Sequence, residues 1–370
     1  MSILLSTFYF FYFSIIGVYI IFLPKVLSTI GYSATEIGII FATAPMIRFL
    51  LPFAFIKGLK LNAKAFNIAL LFMLSSSISF YFTRDSFINL LLSNIGMGIG
   101  LSLILPYIEV IALEEVGKQR YGKIRLFGSI GFILVALVLV KYLNSADIAF
   151  IFLMTLAFFT SIFAFTIVKK AHNIKTKQEN SPTNDINLLK DWQLWLGLTL
   201  MQVSFGAFYN FFTIYETDFG VSLDMTIYLW SFGVLAEIIM LYFQGKLLNK
   251  NLLVILQISI LLTAIRWFLV FLYPQNLAIM FFTQAIHAFS FALFHSTAII
   301  YLFGLYKHRS LAQQFFLGIT YGFGGFLGAL IAGYIYEVLP TYLFLSSSFL
   351  AMGSFVFIYL WSNNQQSNLH

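Results

Sequence analysis

The sequence predicts an all-α integral membrane protein whose twelve transmembrane helices form two six-helix bundles. Three observations carry this. The chain is 60% hydrophobic and only 9% charged, with a mean hydropathy of +0.91, whereas a soluble domain is about 45–50% apolar and about 25% charged. Its apolar runs recur at lengths near the ~20 residues that a helix needs to cross a bilayer. One polar stretch divides the runs six and six. Helices are the expected element because lipid forces each spanning segment to close its own backbone hydrogen bonds, and no strand-period alternation supports a barrel.

The runs fall at 4–27, 34–57, 65–83, 87–113, 124–143, 147–168, 191–215, 222–245, 251–273, 275–303, 311–336 and 341–361. The first begins close to Met1 without a basic segment or a small-residue cleavage site, and is read as an uncleaved helix. The fifth opens with Gly128-Ser129-Ile130-Gly131. The eleventh carries Gly324 and Gly328 at the spacing that lets helix backbones approach. These glycines suit plain close packing first and a sliding contact second. Residues 170–190 (KAHNIKTKQENSPTNDINLLK) are polar, basic and interrupted by Pro182, a composition that resists packing. The expected domains are therefore 1–169, a cytoplasmic linker 170–190, and 191–370.

Charge sets the orientation. With the N-terminus inside, the inner loops and flanks hold Lys57, Lys60, Lys64, Lys118, Arg120, Lys123, Arg125, Lys169, Lys170, Lys175, Lys177, Lys190, Lys246, Lys250, Lys307 and Arg309. The outer loops hold only Lys25, Arg84 and Lys141, with Glu216, Asp218 and Asp224 clustered on that side. Positive-inside asymmetry of this kind predicts a multi-pass protein of the cytoplasmic (inner) membrane with both termini in the cytoplasm. The net charge of +7 is thus a topology signal. Basic residues scattered over short loops give no nucleic-acid face. The absence of cysteine excludes disulfides and thiol chemistry.

Charges at lipid depth are expensive and mark function. Glu237 lies about 12 Å from the inner end of the eighth run, at about 1.5 Å per residue. His295, in the tenth, is at a similar depth. Arg266 in the ninth and His287 in the tenth lie roughly 10 Å further out by the same rise. Gln284, His287 and His295 fall within about 80° of one another on an ideal helix. The second half thus offers an acid and a histidine low, an arginine and a histidine high. Such a set suits proton coupling, since histidine titrates near neutral pH and an arginine beside a carboxylate changes its hold on a proton. The first half repeats the theme: Arg48 sits mid-span in the second run, Glu109 near the inner end of the fourth, and Arg125 opens the fifth. Glu109 pairs with either arginine or snorkels to the interface. Arg48 is too deep to snorkel, which favours function or a buried pair. Asn94, Tyr107, Gln202 and Asn210 are further polar positions. Trp192, Trp195 and Trp361 sit near span ends, as interface anchors do.

At these residues the chain resembles the major facilitator superfamily, in particular its phenylpropionate-permease branch, related to the proton-coupled oligosaccharide and nucleoside symporters. The matching segments are Arg48-Phe49-Leu50, YGKIRLFGS from Tyr121 to Ser129, WSFGVLAE from Trp230 to Glu237, Arg266-Trp267, and QAIHAFSFALFH from Gln284 to His295. They spread over both halves. The resemblance implies proton-coupled uptake of a small organic solute, with Glu237, Arg266, His287 and His295 in coupling and Arg48, Glu109, Arg125 and Gln284 in substrate binding. Three departures stand out. Phe127 replaces the usual Trp, the loop KGLKLNAK lacks the superfamily's Asp and full Gly/Arg pattern, and the tenth run lacks a second acid.

The resulting expectation is a symporter of an aromatic acid, sugar or nucleoside, acting as a monomer, with the proton as coupling ion and no bound cofactor or metal. A drug-exporting antiporter is the alternative, although the fifth run lacks the proline that such proteins carry. A membrane enzyme is disfavoured because no HExxH, GxSxG or cysteine is present; a channel is a weaker option still.

Overall fold

The computed structural model describes residues 1–58, 61–171 and 188–367, and every regular element among them is helical. Most of the expected linker (172–187) and part of the loop after the second span (59–60) lie outside the described residues. Eleven helical runs are long and apolar enough to cross a membrane: Ser2–Thr29, Ala34–Phe55, Ala63–Thr83, Phe87–Gly117, Arg120–Tyr142, Ala146–Lys170, Leu223–Phe243, Leu252–Leu272, Leu277–Leu305, Leu311–Val338 and Pro340–Gln365. The remaining span, seventh in order, is two 13-residue helices, Trp192–Ser204 and Gly206–Asp218, meeting at Phe205. Each is about 20 Å long, short of the ~30 Å hydrocarbon core, and they cross only together.

Local chemistry fixes where the spans begin. Ser33 and Glu36 form a reciprocal capping box at the second span, satisfying two amides that the first turn leaves free. Asn62, Ser222, Asn251 and Asn276 cap the third, eighth, ninth and tenth spans through their side-chain oxygens, so short loops suffice. The fourth and fifth spans are two helices joined at a kink at Gly117, whose φ of 70° is open to a residue without Cβ. Widened π-helical turns interrupt three spans, at Val18–Phe22, Ala288–Leu293 and Phe316–Phe323; such turns gather at functional sites.

The chain divides into two compact units, Met1–Glu179 and Asn180–His370. In the first, the N-terminal span lies on the fifth so closely that a Cβ on Gly131 would sit 2.2 Å from the Phe10 carbonyl oxygen. Asn94 of the fourth span donates to the Ile40 carbonyl and to Thr43 Oγ1 (2.8 Å) and accepts from Tyr19 (2.7 Å). It is fully buried and joins the first, second and fourth spans, a structural role for that polar position. In the second unit the broken seventh span crosses the eleventh at Gly206 and Gly328, where a Cβ on Gly206 would lie 2.2 Å from the Gly328 carbonyl carbon. Two of the three terminal tryptophans depart from the anchor expectation. Trp195 and Trp361 are buried and donate to Tyr306 (3.1 Å) and Tyr301 (2.7 Å), because tyrosine hydroxyls on the tenth span and just beyond it satisfy their indole N–H groups inside the protein.

Gly206→Ala is expected to lower stability by about 1–3 kcal/mol through overpacking, read as a lower melting temperature in detergent. Gly353→Ala, where the new methyl meets only Leu200 Cδ1 at an ordinary 3.7 Å, should melt like the wild type.

Candidate functional site: a buried arginine, histidine and carboxylate in the second unit

Arg266 is fully buried in the ninth span. Its guanidinium donates to Gln284 Oε1 (3.0 Å), His287 Nδ1 (3.0 Å) and Ser290 Oγ (3.3 Å). No carboxylate lies within ion-pairing distance of it among the described residues, and its Nε lacks a hydrogen-bond partner. The positive charge is instead held between two rings, with Cζ 4.4 Å from the Phe208 centroid and 4.3 Å from that of Trp267. Ring faces attract a desolvated cation. Although Arg266 and Trp267 are neighbours in sequence, the guanidinium folds back over the indole.

The bond to His287 fixes the imidazole's tautomer. Arginine offers donors only and does not deprotonate, so Nδ1 must accept and the ring proton sits on Nε2. That nitrogen faces Glu237 Oε2 at 4.0 Å. Arg266, His287 and Glu237 therefore form a chain across the ninth, tenth and eighth spans, with imidazole as the middle member. The eighth span comes close at Gly233, where a Cβ would approach Gln284 Oε1 to 3.2 Å. Below His287 the rings stack: Phe291 lies 5.4 Å away at 7°, and His295 a further 6.3 Å at 25°. His295 Nδ1 bonds the Tyr321 hydroxyl (2.7 Å).

The break in the seventh span frames this cluster. Phe205 packs edge-on against Trp267 (5.1 Å), and Trp267 donates to Ser204 Oγ (3.3 Å). One turn on, Phe208 covers Arg266, His287 (5.4 Å) and Trp230 (4.3 Å). Ser204, Phe205 and Phe208 lie on one helical face, and that face is turned to this cluster.

In the first unit Glu109 pairs with Arg125 (Nε to Oε1, 3.9 Å) and accepts from Tyr121 (3.0 Å). Arg125 lies over the Phe13 ring at 3.7 Å and near Tyr9 at 5.5 Å. Both charged side chains keep about a third of their surface exposed, at 30% and 35%, so this pair is open where the second-unit cluster is enclosed. Arg48 is exposed and makes no hydrogen bond or ion pair among the described residues. Of the two expectations for it, a function or a buried pair, no pair is seen among the described residues; Glu109 is on Arg125 and Tyr121.

The acid expected low and the histidine expected higher are within reach of each other, with Glu237 Oε2 4.0 Å from His287 Nε2. Gln284, expected to face substrate, is fully buried on Arg266 in this conformation. Of the residues missed, Ser290 was within reach, since three residues after His287 puts it on the same face. Phe205 and Phe208 were not, being two among 45 phenylalanines.

Known proteins place the chain. It is 24% identical over 350 residues, 90% of each sequence, to the "Probable 3-phenylpropionic acid transporter" of Escherichia coli (strain K12). Among solved structures, that of the nucleoside transporter NupG superposes with a TM-score of 0.77 at 17% identity, covering 98% of each chain. The POT family transporter PepTSo gives 0.75 at 11% identity over 98% of this chain and 97% of its own. These structural likenesses show the fold. The MFS_1 like family matches residues 2–346; the chain belongs to that family and is a multi-pass membrane transporter of the major facilitator type, not an enzyme.

Proposed function

We propose that this transporter is a proton-driven symporter that takes up a small organic acid by alternating access, with its termini in the cytoplasm and the second-unit cluster as its coupling site. The observation that carries the reading is the buried Arg266 guanidinium, which has neutral polar partners and two ring faces but no carboxylate. Its charge is balanced only at a distance, through the imidazole, by Glu237, and a substrate carboxylate would supply a direct partner in a bidentate fork. The aromatic rings around it suit an aryl group, in keeping with the name of the Escherichia coli relative.

The coupling follows from hydrogen-bond chemistry. In the empty site Arg266 donates to His287 Nδ1, and no proton can add there without opposing a donor. A carboxylate that takes over the guanidinium releases Nδ1, which then accepts a proton and leaves an imidazolium beside Glu237. With Glu237 ionised, the empty site sums to zero charge: one arginine against one carboxylate. The loaded site also sums to zero, because substrate anion and proton enter together. Both forms avoid carrying net charge through lipid depth. Binding takes up a proton, so acid favours binding. Gln284 and Ser290 hold the guanidinium for this exchange. Phe205 and Phe208, at the seventh-span break, are the groups that must swing aside to admit substrate. In the first unit, Arg48, Glu109 and Arg125 are that unit's own candidate substrate-binding residues.

Three outcomes are expected. Glu237→Gln abolishes accumulation driven by a pH gradient in vesicles while leaving exchange of preloaded substrate partly intact; net uptake by this variant would remove Glu237 from coupling. Arg266→Ala lowers transport sharply and weakens binding of aromatic acids, and normal uptake would reduce Arg266 to a packing residue. A thermal-shift screen of the purified protein against aromatic acids, sugars and nucleosides should show stabilisation by the acids; stabilisation by sugars or nucleosides alone would overturn the substrate class.

A further inference from the structure

A second carboxylate is enclosed in this unit, away from the Arg266 cluster. Glu216 lies two residues before the end of Gly206–Asp218, at the end that the loop charges assign to the outside. It is 0% exposed, and neither carboxylate oxygen has a hydrogen-bond partner. The segments of this unit at the same end (206–230, 268–283 and 328–348) contain no Lys or Arg. The titratable groups on the elements packed there are Tyr215 and Asp218 on its own helix, Asp224 and Tyr228 on the eighth span, Tyr334, Tyr336 and Glu337 on the eleventh, and Tyr342 at the start of the twelfth. All are acids or phenols. Tyr336 donates to Asp218 (2.8 Å), and the enclosed Tyr215 hydroxyl has no partner either.

An ionised carboxylate in such a place has neither donors nor a counter-charge, and enclosed charges are tolerated only when paired or neutralised. We propose that Glu216 is a second proton-binding carboxyl, held as the neutral acid while this end of the unit is shut and ionised when the end opens to water. The site is physically separate from His287 and Glu237, and its protonation does not depend on the coupling reading above. The Glu216 helix ends two residues on in a glycine cap, with Val221 N–H on the Glu216 carbonyl (2.9 Å), Gly220 N–H on the Thr217 carbonyl (3.2 Å) and Gly220 at φ 91°, and only the short 219–222 loop joins the seventh and eighth spans there. Because the shut form holds the proton and the open form releases it, acid stabilises the shut form and alkali favours opening.

Infrared difference spectroscopy of the purified protein at neutral pH tests this. Glu216→Gln should remove one protonated-carboxyl band that Glu237→Gln leaves in place; Glu216→Asp, a smaller change suited to the same measurement if the amide variant folds poorly, should displace that band. Unchanged carboxyl bands in the Glu216 variants would mean that the group is ionised and would overturn the proposal. So would a stabilisation by sodium over choline at equal ionic strength that the variants lose, since a metal cation would then be the neutralising partner. Hydrogen exchange of the amides in 215–223, corrected for its intrinsic pH dependence, should speed up with rising pH in the wild type and stay flat in Glu216→Gln. The same slope in both would contradict the assignment.

Discussion

Arginine can only donate hydrogen bonds, and in a dry site that limits what its neighbours can be. At Arg266 it forces the facing nitrogen of His287 to be a lone pair and the ring proton to the other side, toward Glu237. A proton and the guanidinium are thereby competitors for one nitrogen. In water the competition would be trivial, since solvent would stand in for either. Around the fully buried Arg266 little else is available, and the occupant of the guanidinium decides whether the imidazole can charge.

The rest of the second unit maintains that enclosure. The seventh span breaks at Phe205, and the two halves turn Ser204, Phe205 and Phe208 onto Trp267, Arg266 and His287. The break is affordable to the fold because Gly206 and Gly328 bring two backbones into contact just beyond it, replacing the packing that a continuous helix would have supplied. On the opposite side Gly233 lets the eighth span close over Gln284, which places Glu237, one turn further on, at the imidazole. The first unit is arranged differently. Its Glu109–Arg125 pair stays partly exposed over Phe13 and Tyr9, as suits a surface that meets a solute rather than one that holds a charge away from water.

Much of this could be read in the sequence, and the boundary has a physical cause. Hydropathy is a sum over many residues, so eleven spans appear as single helical runs near their expected places. Charge at lipid depth is equally conspicuous, and it puts Arg266 and His287 at one level, whereas for Glu109 it leaves Arg48, Arg125 and the interface open until the packing selects Arg125. Departures from the ideal helix leave no such mark. The interruption at Phe205 and the widened turn at Ala288–Leu293 arise from tertiary packing among residues that look like every other apolar residue of the chain. Neither can be placed from the pattern of apolar residues alone. Arg48 shows the reverse limit: depth along a span says nothing of whether the side chain turns inward, and here it does not find a carboxylate.

The most direct measurement is the proton balance of binding. Purified transporter in weak buffer with a pH indicator, mixed with a small aromatic carboxylate, should take up protons as the ligand binds, and His287→Asn should bind without that uptake. Binding by the wild-type protein with no proton taken up would contradict the competition between guanidinium and proton at His287.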